Sequence, residues 1–363
     1  MSSHFRSDIV PLPGYQPIPD RDATALRLGI PDLAKLDTNE MPYGPLPGVR
    51  EAVTDHLLRL HHYPDLTAAP LTSALAAHYR LDPDTIAVGN GSAGLIEALV
   101  RGTTCTGDEV VFSWRSFEAY PLITTLAGAV PVPVPRAPDH GHDLPALLAA
   151  ITPRTRLLIL CNPSNPTGVY LPPEQVESFL DQVPAAVLVV LDEAYREFAA
   201  PWSTTVADRP NGTQRTNTVT LRSFSKAWGL AGLRVGWAHG APELVRELRK
   251  CLVPFSVSSL AQVAAVAALR EEHEMYRRVD EVIARRTRIA EELLTHAVGS
   301  PPSRGNFLWL PKGARSRRFA DEALLAGFLV RAFDGEGVRI TVGTEHDTTR
   351  LCQALPDILR RSQ

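Results

Sequence analysis

Lys226 lies in the run Ser223-Phe224-Ser225-Lys226-Ala227-Trp228-Gly229-Leu230-Ala231-Gly232-Leu233-Arg234. The chain has only four lysines (Lys35, Lys226, Lys250 and Lys312) among 37 basic residues, so arginine is its ordinary cation. A lysine amine can shed its proton and form a Schiff base with an aldehyde; a guanidinium cannot. The hydroxyls of Ser223 and Ser225 and the guanidinium of Arg234 suit the oxygens of a single phosphate.

Three further motifs carry compatible chemistry. Gly89-Asn90-Gly91-Ser92-Ala93-Gly94 joins a predicted strand to a predicted helix. Its small residues let backbone N–H groups and the Ser92 hydroxyl approach an anion at the helix start. Cys161-Asn162-Pro163-Ser164-Asn165-Pro166-Thr167-Gly168 is a stiff loop that holds the Asn165 amide in one place. The apolar run Val187 to Leu191 ends in Asp192, with Tyr195 three residues on. A carboxylate there either caps the next turn or meets a cationic partner, because burying it alone is costly. Together the motifs describe one ligand. It has an aldehyde for Lys226, a phosphate for Ser92, Ser223, Ser225 and Arg234, a ring nitrogen for Asp192, and a phenolic oxygen for Asn165 and Tyr195. Those are the parts of pyridoxal 5'-phosphate.

These residues need a frame that gathers them. Between about residues 84 and 240, short aliphatic runs alternate with helical patterns. Predicted strands are 86–88, 109–112, 130–134, 157–161, 186–192, 218–222 and 233–239, with helices such as 94–101, 118–126 and 173–182 between them. Strands apolar on both faces, spaced by helices, predict an α/β fold with a mainly parallel sheet between helical layers. In such sheets ligands sit at the carboxyl ends of strands, where each motif falls. Beyond residue 241 the pattern becomes helical (242–251, 259–269, 272–297). A small α+β end follows, with strands 306–310, 328–331 and 338–342, a helix over 318–326 and a final helix. The expected division is residues 1–55 as an N-terminal segment and part of a small domain, 56–265 as the large domain, and 266–363 as the small C-terminal domain. The prolines of Pro131-Val132-Pro133-Val134-Pro135 read as an edge segment.

The 363 residues carry 37 basic and 40 acidic groups, a balance that argues against nucleic-acid or membrane partners held by bulk charge. Four scattered cysteines (Cys105, Cys161, Cys251, Cys352) show neither metal-ligand spacing nor a disulfide framework. No metal, and a soluble cytoplasmic protein, are the expectations.

With these motifs the sequence resembles the fold-type I pyridoxal-phosphate aminotransferases, in the group of histidinol-phosphate and aromatic amino acid aminotransferases. The resemblance runs from Tyr15 to the last helix. Asn39-Glu40-Met41-Pro42-Tyr43-Gly44-Pro45 and Tyr63-Pro64-Asp65 are similar to its N-terminal motifs. Trp114-Arg115-Ser116-Phe117-Glu118-Ala119-Tyr120-Pro121 is similar to the segment that stacks an aromatic ring on the cofactor, here Phe117. Asn306-Phe307 and Arg339-Ile340-Thr341-Val342-Gly343-Thr344 match its C-terminal motifs.

The resemblance implies that Lys226 binds the cofactor and moves the proton in catalysis, with Asp192 at the ring nitrogen and Tyr195 beside it. Gly91, Ser92, Ala93, Phe117, Asn165, Ser223, Ser225 and Arg234 would complete the cofactor site. Tyr63 would reach the phosphate of a neighbouring subunit, making a homodimer with shared active sites. Tyr15, Asn39 and Asn165 would line the substrate pocket, Arg339 would bind the substrate anion, and Arg331 is a second candidate for that anion. Ala93-Gly94 replaces the acidic pair of many histidinol-phosphate enzymes, and Phe117 replaces their tyrosine. The expected reaction is therefore ping-pong transfer of an amino group from an aromatic amino acid to 2-oxoglutarate. Histidinol phosphate is the alternative donor, and a pyridoxal-phosphate decarboxylase the further alternative.

Overall fold

A computed structural model describes residues 4–12, 14, 19–199 and 215–363. Among these residues eleven strands run in chain order: β1 Ala34–Leu36, β2 Ile86–Gly89, β3 Glu109–Trp114, β4 Val130–Pro135, β5 Thr155–Cys161, β6 Leu188–Asp192, β7 Thr218–Ser223, β8 Gly236–Gly240, β9 Phe307–Leu310, β10 Phe328–Phe333 and β11 Gly337–Thr341.

Seven of them form the large sheet in the order β2-β8-β7-β6-β5-β3-β4. All its neighbours pair in parallel except β8, which is antiparallel to both β2 and β7. Alternate residues of its central strands enter two separate cores. Val110, Phe112, Leu157, Ile159 and Val190 pack under helices Gly91–Thr103 and Pro242–Cys251. Val111, Leu158, Leu160, Val189 and Leu191 face helix Pro173–Leu180. Both faces are dry, so the strands read as unbroken aliphatic runs. Among the described residues β4 pairs only with β3, which accommodates its three prolines at an edge of the sheet.

The second sheet has the order β1-β10-β11-β9. β1 comes from the start of the chain and pairs in parallel with β10, tying residues 34–36 to 328–330. That strand, and the helices Arg21–Leu28, Pro47–His56 and Ala69–Tyr79, lie in a stretch where no element is read from the sequence.

One strand differs from expectation in a way that matters for the site. The apolar run 233–239 predicts a strand from its first residue, but β8 begins at Gly236. Residues Ala231–Leu233 form a 3₁₀ turn and Arg234 takes a left-handed conformation (φ 54°), so the guanidinium swings back toward the mouth of the sheet. Among the described residues no helix is long and apolar enough to cross a membrane, and no cluster of potential metal ligands occurs.

Candidate active site

The carboxyl ends of β5, β6 and β7 present Cys161, Asp192 and Ser223 along one edge of the large sheet. Antiparallel β8 enters at the same edge, and its Gly236 pairs with both Ser223 and Gly89. A Cβ on Gly236 would meet the Ser92 nitrogen at 2.8 Å and the Gly91 carbonyl carbon at 2.9 Å. Only glycine lets the start of helix Gly91–Thr103 come this close. The small sheet stands opposite with Arg331, Phe333 and Arg339. Between the two lies a cavity of about 280 Å³ lined by both sheets and by residues 37–40.

Lys226 Nζ reaches the backbone oxygens of Thr38 (3.3 Å) and Asn39 (3.2 Å) and lies 5.7 Å from the centroid of the Tyr195 ring. What exposure it has faces the cavity it lines. Burial, followed by the positive charges of Arg339 and Arg234, brings its pKa down from 10.5 to about 7, against the opposing pull of Glu40 and Asp192. The amine is therefore substantially neutral near pH 7, as a nucleophile or base must be.

Asp192 is 4 % exposed and accepts hydrogen bonds from the Tyr120 hydroxyl (2.7 Å) and the Ala194 N–H (3.3 Å). Burial raises its pKa; the Tyr120 bond opposes that shift. A cation set against it would favour its ionised form. Burial likewise holds the Tyr195 phenol far above its ordinary value, and Asn39 Nδ2 donates to its oxygen at 3.0 Å.

The anion-binding groups fall at two ends. At one, Arg234 Nη1 donates to Ser225 Oγ (3.2 Å), the Ser225 N–H donates to Ser223 Oγ (3.0 Å), and Ser92 and Ala93 occupy the first turn of their helix. Gly91 (φ 72°) does not line the cavity; it makes room for Arg234, whose Nη2 would lie 2.7 Å from a Cβ there. At the other end, Arg339 Nη1 donates to Asn165 Oδ1 (2.6 Å) and Nη2 to the Asp37 carbonyl (2.5 Å). With its oxygen turned to Arg339, Asn165 has an N–H₂ as its other terminal group. Arg331, which a strand-end surface position would leave in solvent, lines the cavity and pairs with Glu118.

The cavity thus collects Asn39, Ser92, Ala93, Phe117, Asn165, Asp192, Tyr195, Ser223, Ser225, Lys226, Arg234, Arg331 and Arg339. Tyr63 stands apart from it, 83 % exposed, with its ring 4.9 Å from that of Phe255. Tyr15 lies outside the described residues. Sequence reasoning missed Tyr120, which sits edge-on to Phe117 (ring centroids 5.5 Å) while holding Asp192. Its signal was its place three residues after Phe117, one helical turn on. Glu118 and Asp37 were also missed, because their partners come from distant strands.

The family described as aminotransferase class I and II matches residues 31–355. An aromatic amino acid aminotransferase of Rhodococcus erythropolis is 46 % identical over 350 residues, covering 96 % of this chain and 94 % of that one. A Streptomyces coelicolor protein of the same name is 45 % identical, covering 94 % of each chain. Among solved structures, a histidinol-phosphate aminotransferase of Sinorhizobium meliloti in complex with pyridoxal-5'-phosphate superimposes with a TM-score of 0.90. It is 29 % identical, covering 99 % of this chain and 98 % of that one. The chain belongs to the class I and II aminotransferases and is a pyridoxal-phosphate-dependent aminotransferase acting on small molecules.

Proposed function

We propose that the enzyme transfers the amino group of an aromatic amino acid to 2-oxoglutarate, with the cofactor held in the cavity between the two sheets. The residues there fit that group. A partly neutral amine stands near a buried carboxylate, and a notch that any side chain at Gly91 would fill is occupied by the Arg234 guanidinium beside two serine hydroxyls. Lys226 would hold the aldehyde carbon, Asp192 the ring nitrogen, Phe117 a ring face, Asn165 and Tyr195 the phenolic oxygen, and Ser92, Ser223, Ser225 and Arg234 the phosphate. Bound there, pyridoxal phosphate takes up the amino group and offers a ring that accepts the electrons left when the α-carbon loses its proton.

This chain's own part is then definable. Lys226 Nζ, neutral near pH 7 and released from the aldehyde carbon by the incoming amine, would take the α-proton and deliver it to that former aldehyde carbon. Asp192, ionised against a ring cation, keeps that ring electron-poor, and Tyr120 keeps the carboxylate aimed. Arg339 grips the substrate carboxylate and so fixes which α-bond lies near Lys226. One cavity serves the amino donor and the 2-oxo acceptor in turn.

The observation that carries the aromatic donor is the joining of Phe117 and Phe333 with Arg339 in one cavity, the guanidinium lying 5.9 Å from the Phe333 ring centroid. An apolar wall beside a two-point anion clamp suits a ring and a carboxylate. The names of the relatives near 45 % identity agree with it. A second reading, histidinol phosphate as donor, is favoured by the two cavity arginines and by the Sinorhizobium likeness. The ratio of kcat/KM for phenylalanine and histidinol phosphate decides between them. A preference for phenylalanine of about tenfold or more is expected; the reverse preference makes histidinol phosphate the substrate.

We also propose a homodimer with shared active sites in the cytoplasm. Supporting the dimer are exposed apolar side chains in two segments, Leu57, Leu58, Leu60, Tyr63 and Leu66 in one and Val253 and Phe255 in the other, which meet where the Tyr63 and Phe255 rings lie 4.9 Å apart. The cysteines of the chain are unpaired, as in a reducing compartment. The division into residues 1–55, 56–265 and 266–363 is proposed on the two-sheet arrangement and on β1 joining β10.

A further inference from the structure

Phe117 and Asn165 enter the cavity from two loops that lie beyond the ladder between their strands. The β3–β5 pairing ends at Phe112 and Ile159, several residues short of both. Past that point the segment following edge strand β4 links the two loops. The β3–β4 ladder runs on to the Trp114–Pro135 pair, so Arg136 leaves the sheet beside Arg115.

Two side chains of this segment each bridge from the β3 side to the β5 side. His142 Nε2 lies 2.9 Å from the Cys161 carbonyl oxygen and Nδ1 2.6 Å from Ser113 Oγ. A carbonyl only accepts, so Nε2 carries the proton and Nδ1 accepts from the Ser113 hydroxyl. Further out, Arg136 Nε donates to the Arg115 carbonyl (2.6 Å) and Nη2 to Ser164 Oγ (2.6 Å), while Nη1 turns back to the His140 carbonyl (3.2 Å). These partners are carbonyls and a hydroxyl rather than a carboxylate. Burial lowers the pKa of Arg136 to about 10, which leaves it charged at pH 7. Desolvating a charge is costly, and neutral acceptors offset that cost less than a carboxylate would. A planar fork does, however, hold several acceptors at fixed angles, which suits positioning. Arg115 stands two residues before Phe117, and Ser164 adjoins Asn165 in a loop stiffened by Pro163 and Pro166.

We propose that Arg136 is a positioning residue for the reaction: by tying the Arg115 carbonyl to Ser164, it fixes the separation of Phe117 from Asn165. The proposal rests on the cofactor pose given above, with Phe117 on the ring face and Asn165 at the phenolic oxygen. In that pose the Asn165 amide donates to the oxygen, and donors to a charged oxygen favour its deprotonated form. Loosening the tie weakens the donation, so the bound cofactor keeps its proton to a higher pH.

The test titrates the visible absorbance of the holoprotein against pH for wild type, Arg136→Met, Asn165→Ala and Arg249→Met. Arg249 is the control, since it also grips two backbone carbonyls, those of Pro83 (2.8 Å) and Ile86 (2.6 Å), beside the opposite edge strand β2. The midpoint is expected to rise in Asn165→Ala, and to rise by about half a pH unit or more in Arg136→Met. With the better of phenylalanine and histidinol phosphate as donor, kcat of Arg136→Met should fall roughly tenfold while KM changes by about threefold or less. Arg249→Met should keep the wild-type midpoint and kcat, whatever its thermal unfolding. Arg136→Lys should not restore either quantity, because an ammonium on a flexible stem cannot hold two loops at fixed angles. If Arg136→Met folds poorly, Ser164→Ala removes only the arm toward Asn165 and should move the midpoint in the same direction. A midpoint unmoved in Arg136→Met or Ser164→Ala, while Asn165→Ala moves it, overturns the role of Arg136, as does full recovery in Arg136→Lys. A midpoint unmoved in Asn165→Ala refutes the cofactor pose itself, and the proposal with it.

Discussion

Lys226 shows how the fold alters a residue's chemistry. Its amine is set near pKa 7 by burial and by the charges of Arg339 and Arg234. An exposed lysine stays protonated to about pH 10.4. Lowering the pH through 7 therefore charges the amine and removes its nucleophilicity; raising it restores the neutral form. The rate of cofactor uptake by the apoprotein, followed by absorbance, should climb between pH 6 and 8 and then level, being roughly tenfold slower at pH 6 than on the plateau. A rate still rising steeply at pH 10 would place the amine in solvent. The unfolded chain keeps this proton to a higher pH than the folded one, so this group's contribution to apoprotein stability increases as pH rises from about 7 to about 10.4 and is constant above that. Lys226, Asp192 and Asn165 were legible in the sequence because residue type and local spacing alone mark them. Tyr120, Glu118 and Asp37 were not, since each matters through a partner 72, 213 or 302 positions away.

Elements set how tightly these groups can converge. The start of β8 and the start of helix Gly91–Thr103 touch through backbone atoms, which cannot turn aside as a flexible side chain can. Gly236→Ala would force the Ser92 nitrogen and the Arg222 carbonyl away from 2.8 and 2.9 Å contacts. We expect it to cost about 1–3 kcal/mol of stability, as overpacking does, and to weaken cofactor binding by moving Ser92. Thermal unfolding of the apoprotein and a cofactor titration measure the two effects. Gly232→Ala, where a Cβ meets nothing within 4 Å, is the control expected to unfold like wild type. Unchanged cofactor affinity in Gly236→Ala would show that the helix start does not position the phosphate. Of the elements, the buried strands of the large sheet were readable from their aliphatic runs. The direction of β8 and its start at Gly236 were not, because strand polarity and the turn at Arg234 depend on pairing with β2 and β7. β1, three residues long and defined by its pairing with β10, carries too short a pattern to read.

At the scale of the whole molecule, the apolar surface around Leu57–Leu66 and Val253–Phe255 is the feature a lone chain leaves unexplained. It borders a cavity of about 500 Å³ lined by His56, Tyr63, Gln262 and Arg270 among others. If a second subunit covers it and Tyr63 serves the neighbour's site, Lys226→Ala and Tyr63→Ala proteins should each be nearly inactive alone. When mixed under conditions of subunit exchange, they should regain activity, because one site of each hybrid dimer carries neither change. Sedimentation showing a fully active monomer at assay concentration would exclude the shared site. Sequence could suggest this arrangement only through resemblance, as nothing in local spacing reports what lies on another chain.

The central claim is that the cofactor is bound through Lys226 in the cavity between the two sheets. Borohydride reduction of the purified holoprotein, digestion and mass-spectrometric mapping test it most directly. The cofactor mass should appear on the peptide containing Lys226 and should be absent from the Lys226→Ala protein. Labelling at Lys35, Lys250 or Lys312 instead would contradict the assignment and move the active site elsewhere in the fold.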